Sequence, residues 1–337
     1  MAPDSLVPAI GALLAQSGRR CKDPRIEPLA SGGNNRVFSV QCGPERLAAK
    51  WYWHDTADGR DRLGAEFAFL EHCWRMGLRC VPRPLVRDSA MHLALYEYVE
   101  GTKIGPTGPE ADEVLEAAEF FSRLNRAQSR AVAGTLPSAS EACFSTFEHF
   151  AMVDARIGRL ALIEPGSAVD REAIEFVSAL GSRWGAAKAA ILARLPDPDL
   201  ILTLDERCLS PSDFGFHNAL RRADGHLCFI DFEYAGWDDP AKAVGDFFAH
   251  PGSQVPRTHY EAFLAAATSP FPDPAAMAAR ARSLDAVFRV KWCCIILNEF
   301  LPAEAKRRRF ADSSRDPAAR KGVQLGKARA LFDTLDH

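Results

Sequence analysis

The apolar pattern of this chain changes from strand to helix at Gly101, and this change limits the folds that the chain can adopt. The residues before Gly101 contain five runs with strand character and one helix with a single apolar face: the strands at 25–30, 36–41, 46–52, 85–87 and 92–98, and the helix at 63–76. After Gly101 the regular segments are mostly helical, at 110–133, 141–163, 168–194, 258–267, 275–300 and 320–335. This order predicts an α+β fold in which a small antiparallel sheet precedes a helical region.

Two lobes are expected from the same change in pattern. A chain of 337 residues is long enough for about two domains. We expect residues 1–101 to form the small N-terminal lobe, including the linker strand, and residues 102–337 to form the larger helical lobe. The crease between the lobes would then fall near residues 97–102.

The balance of charges argues against a nucleic-acid partner. The chain has 41 Lys and Arg residues and 44 Asp and Glu residues, a formal net charge of −3, so it has no overall attraction to a polyanion. The basic run 306–309 is interpreted as a solvated helix face, and an anionic partner for it is the alternative.

Cysteine usage and the N-terminal residues favour a cytoplasmic location. The nine cysteines include no C-x-x-C pair, which fits reduced buried thiols better than disulfide bridges or zinc ligands. The short apolar run 6–15 lacks the basic region that precedes it in secretory signals, and no apolar stretch approaches the ~20 residues that span a bilayer. We therefore expect a cytoplasmic protein with no membrane partner, and the sequence leaves the oligomeric state open.

The residues most informative about chemistry lie between 213 and 231. Asp213 and Asn218 are five residues apart in a polar segment, and Asp231 follows the apolar run 228–230. Phosphoryl transfer uses such a set, because one carboxylate orients the attacking hydroxyl while an amide oxygen and a second carboxylate hold Mg²⁺. His217, beside Asn218, is interpreted as a structural loop residue rather than a base.

Candidate phosphate-binding residues precede Gly101. Lys50 ends the third strand among apolar neighbours, and its ammonium group is a candidate ligand of phosphate. Glu66 is favoured over Glu71 as the partner of Lys50, because the apolar face of the helix directs Glu66 inward. The glycine-rich turn 31–35 is expected to offer backbone N–H groups to phosphate oxygens, although such a turn also fits a simple hairpin.

These residues and their order resemble the aminoglycoside phosphotransferase/choline kinase-like family, a group related to the eukaryotic-type protein kinases. The resemblance covers approximately residues 25–300 and implies a two-lobed protein kinase-like fold. The matching positions run through the chain in the family's order: Gly32, Gly33, Asn35, Val37 and Lys50, then Glu66, the turn 77–84, the linker 96–101, Asn125, Asp213, Asn218 and Asp231.

The resemblance also implies roles for these residues. Asp213 would be the catalytic base, and Asn218 and Asp231 would be the Mg²⁺ ligands. ATP would be bound by the glycine-rich turn, by the lysine with its glutamate partner and by the backbone of the linker: Gly32, Gly33, Asn35, Lys50, Glu66, Glu97, Tyr98 and Val99.

Two positions depart from the family pattern. Pro211 stands where the family usually has a histidine two residues before the base, and Ala243 stands where an aspartate is usual. Both missing groups help to hold the catalytic loop in the family. Ser210, Ser212 and Asp246 are the candidates to replace them.

The function implied by the resemblance is an ATP-dependent kinase that phosphorylates a hydroxyl group of a small molecule. Only seven residues separate Asp231 from Asp239, too few for an activation segment that docks a polypeptide. Residues 101–200 carry 10 basic and 14 acidic side chains, which favours a cationic or neutral acceptor such as a sugar, an amino sugar or an amino alcohol. Trp237 and Trp292 either line the acceptor pocket or pack in the core. The alternative function is a nucleotide-binding pseudokinase that acts as a regulatory module.

Overall fold

A computed structural model describes residues 3–29, 35–54, 59–105, 107–195, 197–253, 255–301 and 317–336. Within these residues the predicted α+β fold is confirmed, with an antiparallel sheet in the N-terminal part and a helical C-terminal part. Three sequence features that were singled out, Gly32, Gly33 and the basic run 306–309, lie outside the described residues.

The N-terminal sheet has five antiparallel strands in the order β1-β2-β3-β5-β4, where β1 is Arg25–Pro28, β2 is Arg36–Cys42, β3 is Glu45–Trp51, β4 is Pro84–Asp88 and β5 is Leu93–Glu97. The two-residue turn at 43–44 joins β2 to β3, so Cys42 pairs with Glu45 and Lys50 lies opposite Val37. Lys50 also lies opposite Ala94 of β5. The sheet therefore holds Lys50 in its central strand, with a neighbour on each side.

Helix α2, Arg62–Arg75, packs on one face of this sheet. The side chain of Asp61 caps its N-terminus by accepting from the N–H of Gly64. The chain leaves the helix through Gly77, whose φ of 76° is a left-handed conformation that glycine adopts without strain. The apolar stripe is buried as predicted, and it carries Glu66 into the protein interior while Glu71 is exposed.

Helix α1, Pro3–Gln16, packs on the opposite face of the sheet and was missed in the sequence. Its buried residues Leu6, Ile10, Leu13 and Leu14 have helical spacing, and they contact strand residues such as Val40. The run 6–15 was considered only as a targeting segment, which hid this periodicity. The sheet is thus covered on both faces.

The C-terminal part contains helices α3 to α10 and two small sheets. The helices are α3 (Ala111–Leu124), α4 (Ala127–Ala131), α5 (Thr146–Leu160), α6 (Ala168–Leu192), α7 (Pro240–Ala249), α8 (Tyr260–Thr268), α9 (Pro274–Ile296) and α10 (Pro317–Asp333). The short strands are β6 (Thr102–Lys103), β7 (Cys208–Ser210), β8 (Ala219–Arg221), β9 (Leu227–Phe229) and β10 (Gly236–Asp238). Strand β7 pairs with β10, and β8 lies between β6 and β9.

The helices of this part differ from the prediction in two respects that affect the site. The helix expected over 110–133 is interrupted at Asn125, whose side chain bonds to the backbone of Leu209 in β7 instead of facing solvent. Helix α7 was not predicted, although Asp239 and Pro240 stand at its start. They form a helix start, in which the Asp239 side chain accepts from the N–H of Ala241 and proline occupies the first helical position.

Among the described residues, no helix is both long enough and apolar enough to cross a bilayer.

All nine cysteines are free thiols, and five of them, at positions 73, 208, 228, 293 and 294, are almost completely inaccessible to solvent.

Candidate active site

The site is centred on Lys50, which the fold brings to two carboxylates. Its ammonium group lies 2.6 Å from Glu66 Oε2 of α2 and also bonds to Asp231, which is 181 residues away in the sequence. Lys50 and Glu66 are buried, whereas the side chain of Asp231 is 34% exposed. Burial alone would lower the pKa of Lys50, but Asp231 and Glu66 raise it well above its ordinary value. The lysine is therefore a fixed cation that faces an accessible carboxylate.

Two tyrosines hold Glu66 in place. The hydroxyl of Tyr52 donates to Glu66 Oε2 at 2.8 Å and lies 2.6 Å from the hydroxyl of Tyr96. Burial and the nearby Glu66 charge raise the pKa of Tyr52 well above its ordinary value, so this hydroxyl keeps its proton and acts as a donor. Neither tyrosine was assigned this role from the sequence, in which Tyr96 was named only as part of the linker 96–101. Tyr52 is two residues after Lys50, and Tyr96 is two residues after Ala94, the partner of Lys50 in β5, so the alternation of side chains places both tyrosines on the face of the sheet that carries Lys50.

The candidate base, Asp213, lies in the loop after β7. The N–H of Ser212 donates to Ser210 Oγ at 3.0 Å, and Ser212 has a left-handed φ of 65°. Asn125 accepts from the N–H of Leu209 and donates to its carbonyl oxygen, which attaches β7 to the end of α3. Of the proposed replacements for the missing loop histidine, Ser210 is therefore the one that bonds to the loop backbone.

Asn218 and Asp231 are brought together by the hairpin of β8 and β9. The N–H of Ile230 donates to the carbonyl oxygen of Asn218 at 2.9 Å, so the residues at the two ends of the hairpin are adjacent. Asp231 has a φ of 70°, a strained conformation for a residue other than glycine that is typical of functional sites. The next residue, Phe232, stacks on Phe69 of α2 with ring centroids 5.0 Å apart and so anchors this turn to the N-terminal part.

The donor set at this position fits Mg²⁺. The Asn218 amide nitrogen donates to the backbone oxygen of Asp213 at 3.0 Å, which orients the amide and leaves its oxygen without a hydrogen-bond partner among the described residues. Together with the accessible Asp231 carboxylate, it offers the hard oxygen ligands that Mg²⁺ prefers.

Asn35 joins the two parts of the molecule. Its amide nitrogen donates to Glu233 Oε2 at 2.6 Å, and its amide oxygen accepts from the N–H of Trp53 at 3.2 Å. Asn35 is buried, and Glu233 also lies 3.6 Å from the guanidinium of Arg62. Both polar ends of Asn35 thus have protein partners next to the turn for which phosphate binding is predicted.

The linker is attached to the turn 77–84 through Glu97. The N–H of Glu97 donates to the carbonyl oxygen of Arg83, and the Glu97 carboxylate accepts from the N–H of Arg83 at 3.1 Å. The guanidinium of Arg46 lies over the ring of Tyr98 at 3.9 Å. Within the described part of the chain, the N–H of Val99 has no hydrogen-bond partner, so it is free to bind a ligand.

Two histidines beside Asp213 were not assigned to the site from the sequence. His217 Nε2 is 3.1 Å from Asp213 Oδ1, and His250, at the end of α7, places its Nε2 3.5 Å from the same oxygen. Burial alone would raise the pKa of Asp213, but His217 and His250 lower it below its ordinary value. The sequence shows that His217 lies only four residues after Asp213, which is a signal that the two side chains are close. The position of His250 depends on helix α7, which was not predicted.

The two tryptophans singled out in the sequence both have structural partners. The indole N–H of Trp237 donates to the carbonyl oxygen of Ala133, and that of Trp292 donates to Asp246 Oδ1 at 2.9 Å. Trp292 also contacts His250 edge-on, with ring centroids 4.3 Å apart. Asp246 therefore holds a ring that packs against His250 and makes no side-chain bond to the catalytic loop among the described residues.

A cavity of about 150 Å³ adjoins the catalytic loop. It is bordered by His217, by the neighbouring glycine and serine at 252 and 253, and by the chain that follows the linker, including Lys103. This cavity provides space for part of a small ligand beside His217 of the catalytic loop.

The chain is similar to known proteins in sequence and in fold. A model of the phosphotransferase enzyme family matches residues 25–280. The fold is similar to that of a choline/ethanolamine kinase family protein from Mesorhizobium loti, with 17% identity, a TM-score of 0.59, and coverage of 98% of this chain and 95% of that chain. It is also similar to a spectinomycin phosphotransferase in complex with ADP and spectinomycin, with 9% identity, a TM-score of 0.60, and coverage of 95% and 98%. A third similar structure is a macrolide 2′-phosphotransferase from Brachybacterium faecium, with 15% identity, a TM-score of 0.56, and coverage of 91% and 99%. A search of curated proteins found no match.

Proposed function

Because the chain belongs to the phosphotransferase enzyme family, we propose that it transfers the γ-phosphoryl group of ATP to a hydroxyl group of a small molecule. The observation that carries this proposal is the contact of Lys50 with Asp231 at the crease, next to the loop of Asp213 and Asn218. A cation for phosphate, oxygen ligands for a metal and a carboxylate for a hydroxyl are thereby grouped at one accessible position.

Each residue has a part in the proposed reaction. Lys50 binds phosphate oxygens and is kept in place by Glu66. Asn218 and Asp231 would hold Mg²⁺, which supplies positive charge beside the phosphates when it is bound. Asp213 accepts a hydrogen bond from the acceptor hydroxyl, aligns its oxygen for attack and receives its proton. The free N–H of Val99 is assigned to the adenine.

Retention of this whole set favours a catalyst over a pseudokinase. A module that only bound nucleotide would have no use for a carboxylate held beside the metal-binding residues, and Asp213 has two histidines and Asn218 oriented toward it.

We also propose that the small lobe ends at Gly101 and that the helical lobe follows it.

The proposed acceptor is a sugar, an amino sugar or an amino alcohol. The chain from Asp231 to Asp239 is occupied by a turn and by β10, which pairs with β7, so it forms no docking segment for a polypeptide. The similar structures include a choline/ethanolamine kinase family protein and phosphotransferases for spectinomycin and macrolides, all of which are consistent with a small hydroxylated acceptor.

A mass-spectrometric screen tests this function. Metabolite extracts are incubated with enzyme, ATP and Mg²⁺, and compounds that gain about 80 Da, the mass of one phosphoryl group, are identified. The Asp213→Asn and Asp231→Asn variants are expected to lose this product at least about 100-fold, because each removes a charge needed in the transition state. Asp224→Asn, in the exposed turn of the β8–β9 hairpin, is the matched control and should retain activity. Equal product from wild type and both active-site variants would refute the assigned roles.

A further inference from the structure

The two histidines beside Asp213 form a stacked pair that the proposed function does not use. The rings of His217 and His250 lie 3.8 Å apart, centroid to centroid, with an angle of 9° between their planes. One ring comes from the catalytic loop and the other from the end of α7. Both point Nε2 at Asp213 Oδ1, at 3.1 Å and 3.5 Å.

The hydrogen bonds on the far side of each ring set the position of its proton. The N–H of Gly252 donates to His250 Nδ1 at 3.0 Å, so Nδ1 acts as an acceptor and the proton of the neutral ring is on Nε2. His217 Nδ1 lies 3.3 Å from Ser253 Oγ, whose hydroxyl can donate to it in the same way. Both rings then direct an N–H toward Asp213 Oδ1.

The surrounding chain makes room for this pair. A Cβ on Gly215 would lie 1.8 Å from Ser253 Oγ, and a Cβ on Gly252 would lie 3.0 Å from the ring of His250. The edge of Trp292 supports the outer face of His250. Any side chain larger than that of glycine at position 215 or 252 would thus collide with Ser253 or with His250.

A metal site is the rival interpretation, because the ligand atoms of Asp213, His217 and His250 all lie within 4.8 Å of one another. Coordination by His250 Nε2 would require its proton to move to Nδ1, where the N–H of Gly252 already points. The tautomer therefore favours an N–H that faces the carboxylate over a bond to a metal.

We propose that His217 and His250 are positioning residues that occupy Oδ1 of Asp213 and leave Oδ2 as the basic oxygen. This inference rests on the proposed function, in which Asp213 takes the acceptor proton. Among the described residues, Oδ2 accepts one long hydrogen bond, from the amide nitrogen of Asn218 at 3.5 Å, whereas Oδ1 has His217 at 3.1 Å, so Oδ2 is the less engaged oxygen.

The transfer step can then be written with its atoms balanced. The acceptor oxygen forms a bond to the γ-phosphorus while its proton moves to Asp213 Oδ2. The bond between the γ-phosphorus and the bridging oxygen breaks, and ADP leaves with that electron pair. His217 and His250 keep their protons throughout.

Phosphate release from Mg²⁺–ATP, with water as the acceptor, tests the pair without knowledge of the natural substrate. His217→Phe and His250→Phe keep a flat ring but remove the N–H, and each is expected to lower the rate about tenfold or more while the Kd for ADP stays within about twofold. His217→Gln and His250→Gln restore a donor and should recover much of this loss. His226→Phe, in the exposed turn of the β8–β9 hairpin, is the matched control.

The outcomes separate this inference from the function on which it rests. Wild-type phosphate release by Asp213→Asn would overturn both. A slow Asp213→Asn together with wild-type rates in both phenylalanine variants would overturn the positioning role alone. Equal losses in the phenylalanine and glutamine variants would also overturn it, because the loss would then follow packing rather than the donor.

A second measurement does not depend on turnover. In ¹⁵N-histidine NMR spectra, His250 is expected to be the Nε2–H tautomer at neutral pH, with signals that are unchanged when Zn²⁺ is added. A protonated Nδ1, or selective loss of the His217 and His250 signals with Zn²⁺, would overturn the proposal and would indicate the metal site instead.

Discussion

Replacement of Asp239 by asparagine tests how the start of α7 is held. Asp239 is fully buried, and its Oδ2 accepts from two guanidinium nitrogens of Arg280 at 2.7 and 2.9 Å and lies 3.0 Å from His149 Nε2. Its Oδ1 caps the helix through Ala241. Asparagine keeps the cap but faces Arg280 with an amide that is neutral.

The expected loss of stability follows from the ion pair and not from the cap. Asparagine and aspartate are about equally good N-caps. Removal of one partner from a buried ion pair costs about 3–5 kcal/mol. Because the Arg280 side chain is 16% exposed and can be partly hydrated, the lower end applies, and the free energy of unfolding should fall by about 3 kcal/mol.

A second Asp-Pro helix start provides the matched control. Asp273 caps α9 through the N–H of Ala276, with proline again in the first helical position, but it is exposed. Asp273→Asn should cost less than about 1 kcal/mol, since only a weak interaction with the helix dipole is lost. Urea denaturation of the two variants measures the difference. Losses within about 0.5 kcal/mol of each other would refute the ion-pair argument.

Three further predictions concern stability and are measured by urea denaturation. Burial lowers the pKa of His72 to about 4, so between pH 7 and pH 5 this histidine takes up a proton in the unfolded state but not in the folded state. When the pH falls from 7 to 5, the free energy of unfolding should therefore decrease by about 2 kcal/mol more in wild type than in His72→Gln. Equal decreases in the two proteins would contradict this. Gly245→Ala should destabilise by about 1–3 kcal/mol, because its Cβ would lie 2.1 Å from the Phe288 ring, whereas Gly185→Ala, in open space, should be neutral or stabilising. Tyr52→Phe removes the donor to Glu66 and should cost about 1–3 kcal/mol; no loss would show that this bond is dispensable.

The sequence was sufficient for the fold class and for the residues that meet at Lys50. The strand–helix order, the apolar stripe of α2 and the separation of Asp213 from Asn218 are local patterns, and each is carried by neighbouring residues. Glu66 was preferred over Glu71 from the apolar stripe of the helix and from the position that the family resemblance implies, and the structure places Glu66 against Lys50 with Glu71 exposed.

The supports of the site could not be predicted in the same way, because they depend on contacts between distant segments. His250 reaches Asp213 only through the direction of α7, a helix that was not predicted. Asn125 bonds to the backbone of Leu209, which is 84 residues away in the sequence, so no local sequence pattern predicts this contact. The side chains that surround the catalytic loop are thus set by the tertiary fold and not by the local sequence.

The dependence of ADP binding on Mg²⁺ tests most directly whether residues 50, 218 and 231 converge on one metal-bound nucleotide. Calorimetric titration of wild type should show at least about tenfold tighter ADP binding with Mg²⁺ than with EDTA. In Asp231→Asn that gain should disappear, while binding without metal stays measurable. An unchanged Mg²⁺ effect in Asp231→Asn would contradict the account.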